Sequence, residues 1–134
     1  MTNLLLDTNA LITLALAPAD TTFSAIQPGD ALAISIVTEF EVRGGLATAP
    51  NDPARQHTFA FLTSRYVPLP LDATVTPHFH HLAANSAALG QRPRKRIADL
   101  MIAATALAHG ATLVTDDQGL IRVAAGLLPV RSLS

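Results

Sequence analysis

The sequence predicts an α/β fold with a central, mainly parallel sheet. Apolar runs of strand length at residues 4–6, 31–37 and 111–114 show no clear polar alternation, which is typical of strands buried on both faces. Segments with helical spacing of apolar residues lie between these runs. Because strands and helices alternate along the chain, a parallel sheet with crossover helices is the expected arrangement.

Five helices are predicted around these strands. The clearest is the last, in which apolar residues recur at helical spacing and Gly110 supplies a stop signal. The predicted helices cover residues 10–17, 38–46, 53–65, 77–89 and 98–109.

Two weaker strands are predicted at residues 67–71 and 127–130. Prolines at positions 68, 70 and 129 remove backbone donors from both segments, so we expect them at sheet edges. Residues 47–53 form a predicted loop, and no repeat or linker interrupts the chain. We therefore expect one domain over residues 1–134.

Composition excludes several classes of function. Among 134 residues 49% are hydrophobic and 14% charged, which predicts a folded chain and leaves little charged surface. The absence of cysteine excludes disulfides, thiolate zinc sites and cysteine nucleophiles. No apolar run approaches the ~20 residues that span a bilayer, and the first residues do not resemble a signal peptide, so we expect a cytoplasmic protein with no membrane contact. Nucleotide-binding glycine motifs do not occur.

Acidic residues follow two of the predicted strands directly. Asp7 comes after residues 4–6, and Asp116 and Asp117 come just after residues 111–114. Ligands of open parallel sheets bind outside the carboxyl ends of the strands, so these side chains are expected at one edge.

Two further acids are expected at the same edge. Glu41 lies one turn into the helix after the second strand, and Asp99 lies at the start of the helix that leads into the third strand. Four chain segments would thus bring carboxylates together, and their repulsion favours a bound divalent cation. Oxygen ligands alone suit Mg²⁺ or Mn²⁺.

Each acid taken singly also has a structural explanation. Asp7 would cap a helix, Asp99 would favour the positive end of a helix dipole, and Asp116 and Asp117 would form a turn. Glu41 would lie on a solvated face. The joint pattern favours the metal site.

Three segments resemble the successive acidic motifs of PIN-domain proteins, in the order and spacing of VapC-type toxins of bacterial toxin–antitoxin pairs. The segments are LLLDTNALI, SIVTEFEVRGGL and KRIADLMIAATALAHGATLVTDD. The resemblance covers nearly the whole chain. It implies a three-layer α/β/α sandwich, Mg²⁺-dependent endonuclease activity on RNA, a homodimer, and inhibition by a cognate VapB-type antitoxin.

By position, Asp7, Glu41 and Asp99 match the first three family acids. Glu39 is a nearby acid whose spacing from Thr38 does not fit. The fourth acid is Asp117 by the family's threonine-x-aspartate pattern, although Asp116 is close enough to substitute. The resemblance implies that Asp7 and Asp99 contact metal directly, and that Glu41 and Asp117 bind it through water or orient the attacking water.

Neighbouring residues have expected supporting roles. Thr8, Asn9 and Thr115 are predicted to orient the carboxylates. Basic residues would contact RNA phosphates, with a solvated loop or antitoxin contacts as the alternative. These basic residues are Arg43, Arg92, Arg94, Lys95 and Arg96. An RNA substrate of the tRNA or rRNA class is compatible with an aromatic content of only 4%, which disfavours an extended stacking platform.

Two other functions stay open at this stage. One is a PIN-fold binding module without catalysis, which a metal titration would distinguish. The other is a Mg²⁺-dependent phosphatase or phosphoacceptor domain, in which an aspartate after the first strand receives a phosphoryl group. It fits poorly, because Asn9 rather than a second acid lies two positions after Asp7.

Overall fold

A four-stranded parallel sheet forms the centre of the molecule in the computed structural model, which describes residues 2–134. The strand order is β2-β1-β3-β4, and every neighbouring pair is parallel. The strands are β1 (Asn3–Leu6), β2 (Ala31–Ile34), β3 (Thr112–Val114) and β4 (Val130–Arg131). The predicted parallel α/β fold is confirmed.

Helices cover both faces of this sheet. They are α1 (Thr8–Leu16), α2 (Ile36–Thr48), α3 (Pro53–Arg65), α4 (Thr76–Ala88), α5 (Ile97–Ala108) and α6 (Gln118–Ala124), and a 3₁₀ turn, Pro93–Arg96, precedes α5. None of the helices in residues 2–134 has the length and apolar character that a membrane span needs.

Successive residues of β1 point into two separate cores, as the strand period of two requires. Leu5 packs with α4, α5 and α6, whereas Leu4 and Leu6 pack with α1, α2 and α3. The helical partners are Leu82, Leu100 and Leu120 in the first core and Leu11, Val42 and Leu62 in the second. Both faces of the sheet are therefore buried, which makes the three-layer sandwich.

Strand β2 is shorter than the predicted 31–37, because a helix cap interrupts it. The Ser35 hydroxyl accepts the amide of Val37 at 3.1 Å, so α2 begins at Ile36 and not at Thr38. Asp7 acts in the same way on α1, where its carboxylate accepts the Ala10 amide at 2.8 Å.

The weakly predicted strands are largely wrong in extent. Residues 67–71 contribute only one bridge, between Ser35 and Leu69, and the last strand is Val130–Arg131 instead of 127–130. Helix α6 was not predicted, because its seven residues follow a pair of aspartates that resemble a turn. Asp117 is its N-cap and accepts the Leu120 amide at 3.0 Å.

The sheet order places a crevice at the carboxyl ends of β1 and β3. The chain passes from β1 to β2 on one side and later returns to β3 on the other, so the connections diverge between β1 and β3. Asp7 follows β1 and its amide donates to the Val114 carbonyl at 3.0 Å. This point of divergence is where an open parallel sheet binds ligands.

Candidate active site

Asp7 is a nearly buried carboxylate at this crevice, with only 4% of the residue exposed. Burial raises its pKa above the ordinary value, although hydrogen bonds from the Thr115 hydroxyl and the Ala10 amide act in the opposite direction. The charges of Asp116 and Asp117 raise its pKa further. Asp7 therefore faces the third strand's acidic turn, as predicted.

Asp99 lies in the first turn of α5 and interacts with the other acids. Burial is the largest cause of its raised pKa, and the charges of Asp117, Glu41 and Asp7 add to this effect. Arg96 acts against it. Carboxylates from the β1–α1 junction, α2, α5 and the β3–α6 turn thus share one electrostatic environment.

Glu41 is held by a hydrogen-bonded pair of threonine hydroxyl groups. The Thr8 hydroxyl donates to Glu41 Oε1 at 2.5 Å and lies 3.1 Å from the Thr38 hydroxyl. Thr38 is fully buried, so this pair fixes Thr8 against the base of α2. The sequence indicated Thr8 as an orienting residue, whereas Thr38 served only to mark spacing. Glu39 instead pairs with Arg43 at 2.9 Å.

The two adjacent aspartates have different partners. Asp117 caps α6 and faces Arg96 and Asp99; burial acts to raise its pKa, but the Leu120 amide and the Arg96 guanidinium lower it overall. Asp116 accepts the Ser132 hydroxyl and the amides of Leu133, at 2.8 Å, and Ser134, at 3.3 Å. The structure therefore brings Asp117 to the other acids and ties Asp116 to the C-terminal segment.

Arg96 lies between two of the acids. Its Nη1 atom is 3.3 Å from both carboxylate oxygens of Asp117 and 3.6 Å from Asp99 Oδ2. A Cβ atom at Gly119 would lie 2.0 Å from Nη2 of Arg96, and the Gln91 amide donates to the Gly119 carbonyl at 3.2 Å. Arg96 was predicted only as an RNA contact; its spacing of three from Asp99 was the signal for this ion pair.

The predicted basic residues divide into two groups. Arg92, Lys95 and Arg96 line a cleft of about 510 Å³ together with Gln91, Asp99 and Asp117. Arg94 is exposed in the 3₁₀ turn. Arg43 lies on α2, with its guanidinium 4.8 Å from the centre of the Phe59 ring, and it is not among the residues that line the cleft. Asn9 is exposed on α1.

The chemistry of the donors suits a hard divalent cation, since all are carboxylate or hydroxyl oxygens. Burial is the main cause of the raised pKa values of Asp7 and Asp99, and the mutual repulsion of the acids adds to it; such a cation would relieve that repulsion. Within residues 2–134, no three His, Cys, Asp or Glu side chains already form a metal-ligand set. Side chains would have to move to coordinate an ion.

Comparison with known proteins agrees with the fold. The family model described as PIN domain matches residues 4–126. None of the curated proteins matches this chain.

Several solved structures are similar to nearly the whole chain. VapBC-5 from Mycobacterium tuberculosis, a member of the VapBC family of toxin-antitoxin systems, is 27% identical with a TM-score of 0.72, over 99% of this chain and 98% of that one. VapBC-1 from nontypeable Haemophilus influenzae is 25% identical with a TM-score of 0.75, over 98% of each chain. VapBC2 from Rickettsia felis, bound to a DNA fragment from the VapBC2 promoter, is 22% identical with a TM-score of 0.79, over 99% of this chain and 100% of that one.

Proposed function

Since this chain belongs to the PIN-domain family and resembles VapC-type toxins, we propose that it is the toxin of a toxin–antitoxin pair and a Mg²⁺- or Mn²⁺-dependent endoribonuclease. The reaction would be hydrolysis of an RNA phosphodiester bond. The substrate would be a structured RNA, for which the tRNA and rRNA classes are the first candidates.

The convergence of four carboxylates from four chain segments carries this proposal. The charges of Asp117, Glu41 and Asp7 raise the pKa of Asp99, although these residues are far apart in sequence. Such a concentration of like charge destabilises a fold unless a counter-ion balances it, and it is the usual arrangement for holding a divalent cation next to a phosphate.

The four acids would divide the work. A divalent cation at this site would polarise the scissile phosphate and lower the pKa of a water molecule. Asp7 and Asp99, whose pKa values burial raises, would hold the ion, and Glu41 and Asp117 would orient water. Thr8 and Thr115 would hold Glu41 and Asp7 in place, with Asn9 at the exposed rim.

The basic cleft would receive the RNA backbone. Arg92 and Lys95 line it beside Asp99 and Asp117, so a phosphate bound there would lie next to the acids. Arg94 would add a contact at the exposed edge of the same turn, whereas Arg43 would have to leave Glu39 to take part.

The test is cleavage of total cellular RNA by purified protein, with Mg²⁺, with Mn²⁺ and with chelator. Asp7→Asn and Asp99→Asn are expected to abolish the discrete, metal-dependent cuts while the circular dichroism spectrum is unchanged. The matched control is Asp20→Asn, which removes the same charge from an exposed turn in the loop that follows α1. This variant should cleave RNA as the wild type does.

Other outcomes would identify the remaining alternatives. A folded wild-type protein that binds Mn²⁺ but cuts no RNA would favour the binding module without catalysis. Transfer of phosphate from a small phosphodonor to Asp7, detected by mass spectrometry and lost in Asp7→Asn, would favour the phosphoacceptor alternative.

A VapB-type antitoxin and a second copy of this chain are the proposed partners. The similar solved structures are described as VapBC systems. A groove of about 330 Å³ beside Glu41, lined by the apolar side chains of Ile12, Leu16 and Val42, supports docking of an antitoxin segment. Expression of this chain alone should arrest growth, and co-expression with a VapB-type protein should relieve that arrest. Growth arrest that persists would count against the antitoxin. Light scattering of the purified chain should give the mass of a dimer.

A further inference from the structure

We propose that Arg96 is an internal counter-ion of the acid cluster, which a divalent cation must displace when it binds. The inference rests on the proposed function, because it concerns the same carboxylates. Arg96 would hold the cluster together without metal and release Asp99 and Asp117 in its presence.

The position of Arg96 carries the first step. Its guanidinium lies 3.3 Å from the Asp117 carboxylate and 3.6 Å from that of Asp99. These are oxygen atoms that a cation would use. A guanidinium and a divalent ion repel each other at such distances, so the two occupy the same carboxylates in alternative states.

Gly119 gives the second and independent step. It is a buried residue in the first turn of α6 without positive φ, so its backbone conformation does not require glycine. Glycine weakens a helix relative to alanine. A Cβ atom here would lie 2.0 Å from Nη2 and 2.7 Å from Cζ of Arg96. The Arg96 guanidinium thus occupies the space that a side chain at position 119 would fill.

The arrangement of the acids agrees with this exchange. In the described part of the chain, no three carboxylates form a metal-ligand set, and two of the four cluster members are turned to Arg96. Departure of Arg96 would free both to turn to an ion. Arg96 already lines the same cleft as Arg92 and Lys95, so its guanidinium would remain in the phosphate-binding surface after it leaves the acids.

Two variants test the exchange by different means. Arg96→Gln removes the guanidinium charge. Gly119→Ala keeps the charge but places a methyl group in the space that the guanidinium occupies. The cost in stability is low, because the atoms that the methyl group meets are the far end of the flexible Arg96 side chain. The matched control is Arg122→Gln, which removes an exposed charge from the same helix.

Affinity for Mn²⁺ is measured by isothermal titration calorimetry without RNA. We expect both variants to bind Mn²⁺ about three- to tenfold more tightly than wild type, the range for losing two partly exposed ion pairs. Arg122→Gln should bind as the wild type does. In chelator, Arg96→Gln should have a lower Tm than the wild type. Its gain in Tm on adding Mn²⁺ should be larger than that of the wild type.

Equal or weaker Mn²⁺ binding by either folded variant would overturn the exchange, because Arg96 would then support the metal-binding form. If Gly119→Ala does not fold, the comparison of Arg96→Gln with Arg122→Gln decides. A wild type that cuts RNA but gives variants of unchanged affinity overturns this inference alone. A wild type that neither binds Mn²⁺ nor cuts RNA overturns the proposed function as well.

Discussion

The capping hydrogen bond of Asp7 and its burial have opposite effects on the charge of its carboxylate. Its carboxylate caps α1 by accepting the Ala10 amide, yet burial raises its pKa, so the folded protein disfavours the ionised form. Between the unfolded value of 3.8 and the raised folded pKa, the folded state holds the proton more readily. The contribution of Asp7 to stability therefore falls as pH rises through this window.

Asp7→Asn should stabilise the metal-free protein at pH 7. Asparagine is as good a helix cap as aspartate and carries no charge. We expect a gain of about 1 kcal/mol in the free energy of unfolding, a size common for changes that relieve a functional constraint. Urea unfolding in chelator measures it, and the gain should vanish below pH 3.8. An unchanged or less stable variant would show that Asp7 is not strained by burial.

At this scale the sequence locates the acids better than their partners. Asp7 and Asp117 could be placed because each comes just after a strand, and strand ends follow from local pattern. The hydrogen bond between Thr8 and Glu41 joins residues 33 positions apart, and the ion pair between Arg96 and Asp117 spans 21. Contacts of this kind depend on how helices pack, which periodicity does not encode.

The C-terminal segment is the element that holds Asp116 through hydrogen bonds. Asp116 accepts hydrogen bonds from Ser132, Leu133 and Ser134, and the Ser132 bond is the main reason that its pKa is lowered. Its ionised form stabilises the fold above pH 3.8, and this contribution is lost as pH falls through the lowered folded value. The segment therefore docks on a charged acceptor.

Asp116→Ala should lower Tm at pH 7 by a few degrees and leave much of the RNA cleavage rate intact. Asp117→Ala should reduce cleavage by about a hundredfold, the upper range for residues that orient a metal site. Thermal unfolding and cleavage rates of the two variants, measured together, decide between these neighbours. Loss of cleavage in Asp116→Ala with normal Tm would make Asp116 the fourth acid instead.

The elements that the sequence predicted well are those with long apolar patterns. Helix α5 was predicted at 98–109 and lies at Ile97–Ala108, because its buried face repeats over three turns. Helix α6 and strand β4 were missed or misplaced, since seven and two residues are too few to show a period. Their positions depend on tertiary contacts, such as the hydrogen bond of the Asn85 side chain to the Val123 carbonyl at 2.6 Å.

Charge over the whole molecule is nearly balanced but unevenly placed. The formal net charge is −1, from nine basic and ten acidic residues. Four of the nine basic residues lie between Arg92 and Arg96, at the edge of the acid cluster. An RNA approaching this chain would therefore meet concentrated positive charge at this cleft, and its binding should depend on salt through those few contacts.

The double variant Arg92→Gln/Lys95→Gln should bind RNA more weakly and with a smaller salt dependence. In an Asp7→Asn background, which prevents cleavage, the slope of log affinity against log salt should shrink by roughly 1.5 to 2, the value for two lost phosphate contacts. Arg96 stays intact because it pairs with Asp99 and Asp117. Fluorescence anisotropy with a labelled structured RNA gives both quantities.

The matched control is Arg65→Gln/Arg122→Gln, which removes two exposed charges elsewhere on the molecule. It changes the net charge equally, so it measures long-range attraction without phosphate contact. If the cleft binds RNA, the control keeps the wild-type slope. Equal loss of slope in both double variants would mean that RNA responds to overall charge, and the cleft beside Asp99 would then have no claim to the substrate.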